Sequence, residues 1–256
     1  MRKKRNILIY PFLFIGMFLI LTNSCKKDEN NNDPNSTSST IKDIDGNVYH
    51  SVTIGTQVWM LENLKTTKYR NGDPIPNIRD ETQWKKQTSG GYCDYDNNVS
   101  NANIYGRLYN WYAVNDSRNI APTGWHVPSN AEWNTLINYL INNGFGYGGS
   151  GNDIAKSMAA TTGWYVSSVV GNIGNDPASN NKSGFTALPS GDRGYTGSFL
   201  GIGYDCSWWS TTEHKSYSDE AYFRNLYQDS DYVWGDGDRD GRDKISGSSV
   251  RCVKDN

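Results

Sequence analysis

Residues 126–144 read His126-Val-Pro-Ser-Asn-Ala-Glu-Trp133-Asn-Thr-Leu-Ile-Asn-Tyr-Leu-Ile-Asn-Asn-Gly144. Trp133, Leu136, Ile137, Leu140 and Ile141 recur at helical spacing and form one apolar stripe. Ser129 stands at the N-cap, and Glu132 three residues on completes a capping box. Pro128 and Trp133 take the staple positions, and Asn143-Gly144 supplies the stop. Glu132 therefore reads as a capping group, not a catalytic acid.

Working outward, Tyr105, Leu108, Tyr109, Tyr112 and Ala113 form a second helical stripe. Asp45-Gly46 between short apolar runs predicts a hairpin. Val52, Ile54, Val58 and Met60 alternate around Gly55-Thr56-Gln57 as a second hairpin. Residues 69–103, rich in Asn, Asp, Gly and Pro, read as irregular loop. Further on, Ser207–Thr212, Ala221–Tyr227 and Ser249–Val253 are strand candidates. Strands at both ends with helices between predict an α+β fold with much loop. No repeat and no linker divides residues 41–256, which read as one domain.

The chain has 256 residues and a formal charge of −2, with 26 Gly and 29 Asn marking many turns. Nine Trp, 17 Tyr and 7 Phe are too many aromatics for a disordered chain, despite a mean hydropathy of −0.71. Met1-Arg-Lys-Lys-Arg5 precedes the apolar run Ile7–Leu21, which ends at Thr22-Asn-Ser-Cys25. This predicts a signal peptide over residues 1–24 and acylation of Cys25. Removing the four basic residues shifts the charge from −2 to −6, which argues against nucleic acid as a partner. Residues 25–40 hold no aromatic and no aliphatic residue and predict a disordered tether. Lys27-Asp28-Glu29 resembles the surface-export signal of Bacteroidota lipoproteins. The expected location is the outer membrane, exposed at the surface, with the membrane reached through the lipid.

Several segments together resemble the Fibrobacter succinogenes major paralogous domain family. They include Asp43-Ile-Asp-Gly-Asn-Val-Tyr49, Ile54-Gly-Thr-Gln-Val-Trp-Met-Leu-Glu-Asn-Leu64, Tyr105-Gly-Arg-Leu-Tyr-Asn-Trp-Tyr-Ala-Val114 and Pro122-Thr-Gly-Trp-His-Val-Pro-Ser129. Gly184-Phe-Thr-Ala-Leu-Pro189, Trp208-Trp-Ser-Thr-Thr-Glu213 and Ser249-Val-Arg-Cys-Val-Lys-Asp255 continue the series in the family's order. His126–Trp133 is also similar to the Arg-Leu-Pro-Thr-Glu-Ala-Glu-Trp stretch of formylglycine-generating-enzyme-like domains. That likeness implies a C-type-lectin-like core, with two helices flanking a small, mostly antiparallel sheet and long loops. Fold likeness does not carry activity across.

With Cys25 acylated, Cys93, Cys206 and Cys252 remain, enough for one bridge. Cys93 and Cys252 agree with family positions, so the resemblance implies a Cys93–Cys252 disulfide, with Cys206–Cys252 as the alternative. Asp236, Asp238 and Asp240, followed by Gly241, resemble the start of a Ca2+ loop. Gly247 stands where such a loop needs Glu, so the segment reads either as a cation site or as a solvated turn. Trp208 and Trp209 are strand neighbours that face opposite ways, which leaves one free to meet a ligand. Trp208, Tyr232 and Trp234 are the candidate ligand-binding aromatics. The three His residues lack metal-ligand spacing, and no GxSxG, P-loop or GxGxxG occurs, so no enzyme is expected. The expected function is a lipid-anchored binding or adhesion module for glycans or for surface and matrix proteins. The alternatives are a structural subunit of a surface assembly and an enzyme of unknown chemistry.

Overall fold

The computed structural model describes residues 40–235 and 240–255. The expected signal peptide, Cys25, the tether up to residue 39, and Asp236 and Asp238 lie outside the described residues. Among the described residues the chain runs through β1 (Ile41–Lys42), β2 (Val48–Tyr49), β3 (Ser51–Ile54), β4 (Gln57–Met60), α1 (Glu81–Trp84), β5 (Tyr92–Cys93), α2 (Val99–Tyr105) and β6 (Leu108–Tyr109). It continues through α3 (Trp111–Val114), β7 (Trp125–His126), α4 (Asn130–Asn142), α5 (Ala155–Met158), β8 (Ser190–Arg193) and β9 (Phe199–Ile202). The last elements are β10 (Asp205–Glu213), β11 (Glu220–Tyr227), β12 (Arg242–Asp243) and β13 (Val253–Lys254). The mix of helices and largely antiparallel sheets is α+β.

The capping box forms as read. Ser129 Oγ accepts from the Glu132 N–H at 3.2 Å, and Glu132 Oε2 accepts from the Ser129 N–H at 2.8 Å. Both otherwise orphaned donors are thereby satisfied. α4 buries Trp133, Leu136, Ile137 and Leu140, while Ile141 is only partly covered.

Both hairpins form. β1 pairs with β2, and Asp43 Oδ1 inside the turn accepts from the backbone N–H groups of Asp45 and Asn47. The Tyr49 hydroxyl donates to Asp43 Oδ2 at 2.6 Å, so the Asp43–Tyr49 motif is a self-bonded turn. β3 and β4 pair with Val52 opposite Trp59. β13 then inserts between β4 and β7, with Val253 opposite both Trp59 and His126. The last strand thus joins the sheet that the β3–β4 hairpin begins.

A second sheet has the order β12-β11-β10-β8-β9, in which only the β10–β8 pair is parallel. It is covered on both faces. Trp208 packs into a cluster with Trp59, Trp133 and Phe185, whereas Trp209 enters another with Met60, Tyr109 and Trp111. Both indoles are 0% exposed.

Three expectations need correction. The stripe at 105–113 is not one helix. α2 ends at Tyr105, and Gly106 turns the chain with φ +83°, so that Leu108-Tyr109 forms β6 against β5. A Cβ at Gly106 would lie 2.6 Å from the Asn63 Cβ, so close approach to β4's trailing loop breaks the helix there. The loop at 69–103 also holds α1, β5 and most of α2. Finally, the single small sheet flanked by two helices is instead a four-stranded and a five-stranded sheet with two short ribbons, and α4 alone exceeds two turns among the described helices.

Candidate functional site

At the end of the β10–β11 pair, Tyr204, Tyr227, Tyr232 and Trp234 line an open cleft of about 420 Å³ together with Asp229, Ser230 and Asp231. The local sequence explains the placement. Asp205 lies opposite Tyr227 in the ladder, so the turn before β10 and the loop after β11 meet at one edge. Gln228 N–H donates to Tyr204 O at 2.8 Å and closes that edge. The chain then folds back, and Trp234 exchanges backbone hydrogen bonds with Asn225 at 2.9 and 3.0 Å.

Side chains fix the rings further. Trp234 Nε1–H donates to Ser230 Oγ at 3.2 Å, and the Tyr204 hydroxyl donates to Asp229 Oδ2 at 2.9 Å. Tyr204 and Tyr227 are 6.0 Å apart at 66°, Tyr227 and Trp234 5.9 Å apart at 89°, and Tyr232 and Trp234 4.7 Å apart at 34°. Tyr204, Tyr232 and Trp234 remain 36%, 39% and 42% exposed. The exposed Tyr165 ring flanks the edge, where a Cβ at Gly203 would meet it at 2.8 Å.

Two of the three expected ligand-binding aromatics, Tyr232 and Trp234, therefore share a cleft. Trp208 does not belong there. Its Nε1–H donates to Asn63 Oδ1 at 2.8 Å, and its ring lies 5.7 Å from Phe185 and 6.0 Å from Trp133. The Arg251 guanidinium sits 4.3 Å over Phe185, donates to Phe185 O, and also bonds Asn63 Oδ1 at 3.1 Å. Burial lowers the Arg251 pKa to about 10. A second covered sheet face, invisible to strand alternation alone, puts Trp208 in the core. Tyr227 and Asp229 escaped the sequence reading, although Tyr227-Gln-Asp-Ser-Asp-Tyr-Val-Trp234 carries three aromatics and two acids in eight residues.

Beside this edge lies a buried polar group. Arg242 Nη2 pairs with Asp192 Oδ2 at 2.7 Å, and Asn225 Nδ2 donates to Ser207 Oγ at 2.6 Å. Among the described residues Asp205 Oδ1, Asp192 Oδ1 and Asn225 Oδ1 find no hydrogen-bond partner. Burial, with the Asp192 carboxylate adding to it, raises the Asp205 pKa to about 8, and Arg242 opposes the shift. Asp205 is thus held toward its protonated form.

The remaining candidates separate. Cys93, Cys206 and Cys252 are free and buried, each in a different apolar cluster. Neither the expected Cys93–Cys252 bridge nor its Cys206–Cys252 alternative is formed in the structure, where the three thiols sit in three separate apolar clusters. Burial pushes all three thiols up, Cys93 to about 12. Of the expected cation ligands only Asp240 is described, and it is partly buried. Among the described residues no three His, Cys, Asp or Glu side chains converge as a metal site. His126 is held between two carboxylates, Nε2 to Glu132 Oε1 and Nδ1 to Asp255 Oδ1, each at 2.7 Å. Burial opposes its charge, but these two hydrogen bonds outweigh it and raise the pKa.

Such a molecule is an α+β domain whose extended loops present an aromatic cleft at a sheet edge. The chain belongs to the Fibrobacter succinogenes major domain family, whose model matches residues 52–254. No curated protein and no solved structure matches it.

Proposed function

We propose that the protein is a cell-surface, lipid-anchored recognition module that binds glycans in the Tyr204–Trp234 cleft without transforming them. The observation that carries this reading is four aromatic rings gathered in one open cleft, three of them more than a third exposed. Exposed, positioned rings offer apolar faces to sugar rings at little ordering cost, because hydrogen bonds already hold them. The basic start, apolar run and Cys25 support an acylated anchor, and the polar tether supports display away from the membrane. The pairing of β13 with β4, which brings the domain's last strand beside the β3–β4 hairpin, supports a C-type-lectin-like pairing of the two ends, built here on two sheets instead of one.

A glycan array probed with the full chain tests the recognition. Binding that disappears in Trp234→Ala supports it, and an array silent for the wild type removes it. Metabolic labelling with an alkynyl fatty acid tests the anchor, and a Cys25→Ala chain that still labels contradicts it.

A further inference from the structure

We infer that the cleft selects a saccharide carrying a free, protonated amine, that is, an amino sugar in its unacetylated form. This rests on the glycan-binding reading of the same cleft and adds the chemistry of the ligand.

Two independent features point to a cation. The first is the arrangement of the rings. A neutral sugar stacks best on one flat, open ring face. Here the walls are not one flat face: neighbouring rings meet at 66° for Tyr204 and Tyr227, 89° for Tyr227 and Trp234 and 34° for Tyr232 and Trp234 around one small volume. Rings of several orientations lining one volume are the setting in which aromatic cages hold ammonium groups. The volume of about 420 Å³ is in the range of small-ligand pockets.

The second feature is charge. Asp229 and Asp231 line the cleft, and among the described residues no Lys, Arg or His does. Asp229 accepts the Tyr204 hydroxyl, a neutral donor that brings no positive charge of its own. The guanidinium coupled to Tyr227, Arg242, is engaged with Asp192 and does not line the cleft. An anionic rim around aromatic walls repels acidic saccharides and favours an ammonium. It leaves a neutral N-acetyl group without a matching charge.

The test is a calorimetric and fluorescence titration of the full chain with three probes: a glucosamine hexamer, the N-acetylglucosamine hexamer of the same linkage, and choline. At pH 6, where the amines are protonated, the glucosamine hexamer should bind about tenfold or more tighter than its acetylated counterpart, as a cation–π and carboxylate contribution requires. Asp229→Asn with Asp231→Asn should bring the two hexamers to equal affinity without moving the melting temperature. Equal or tighter binding of the acetylated hexamer overturns the inference while the glycan reading stands. Binding of choline with neither hexamer overturns the amino-sugar assignment, and so does failure of all three probes. The array with neutral glycans then decides the broader reading separately.

Discussion

The buried ring cluster of Trp59, Trp133, Phe185 and Trp208 and the open cleft of Tyr204, Tyr227, Tyr232 and Trp234 are alike in internal geometry. Neighbouring rings are 4.6 to 6.0 Å apart in the first and 4.7 to 6.0 Å apart in the second. In each, indole N–H groups are tied to side-chain oxygens, Gln57 for Trp59 and Asn63 for Trp208 in the first, Ser230 for Trp234 in the second. What differs is the covering. α4 and the Phe185 segment close over the first group, and Arg251 is fully buried against it, whereas nothing described closes over the second. Burial turns an aromatic group into stability, and leaving it open while fixing its rings turns it into a binding surface.

The largest expected effect breaks or upholds that contrast. Trp208→Ala should cost about 3–5 kcal/mol of stability, since it empties a packed site and removes the indole N–H that Asn63 Oδ1 accepts. Trp234→Ala should cost about 1 kcal/mol or less. Denaturant unfolding of both variants measures the difference, and similar losses would erase the distinction between the two regions.

The next effect concerns the polar group beside the cleft. Asp205 titrates near 8 in the fold against 3.8 in the open chain. Its contribution is fully present below pH 4 and is lost as pH rises through 8. Asp205→Asn should therefore gain on the order of a few kcal/mol over the wild type at pH 9, and little at pH 4. Urea unfolding at the two pH values checks this, and a pH-independent difference would contradict it.

His126 gives a smaller effect of the same sign. Its raised pKa means that the pairing with Glu132 and Asp255 supports the fold fully below about pH 6.5 and fades as pH rises through the raised value. The site is partly exposed, so His126→Gln should cost about 1 kcal/mol or less at pH 5.5 and less still at pH 8.5. Melting temperatures at the two pH values report it. The three thiols sharpen the fold at no energetic cost: alkylation should be negligible in the native protein and complete for Cys93, Cys206 and Cys252 after unfolding. Protection persisting in denaturant would indicate a bridge.

Local signals made the α4 cap, the two hairpins and the long strands legible, because capping, turn chemistry and alternation act within about eight residues. The 105–113 stripe misled because periodicity does not register that Gly106 must approach Asn63, a contact made by a segment forty residues away. Trp234 and Tyr232 were legible as loop aromatics. Trp208 was not, because its fate depends on whether a sheet is covered on one face or two, and that is decided by α4 and the Phe185 segment. Asp205 gave no local sign either, since its acidity depends on Asp192 and on burial at the junction of two strands.

The most direct measurement is calorimetric titration of wild type, Trp234→Ala and Tyr232→Ala with the tightest array ligand, each variant first shown to keep the wild-type unfolding midpoint. The account predicts a loss of at least about tenfold in affinity in both variants, with stability nearly unchanged. Undiminished affinity in both would place the binding surface elsewhere and contradict the account.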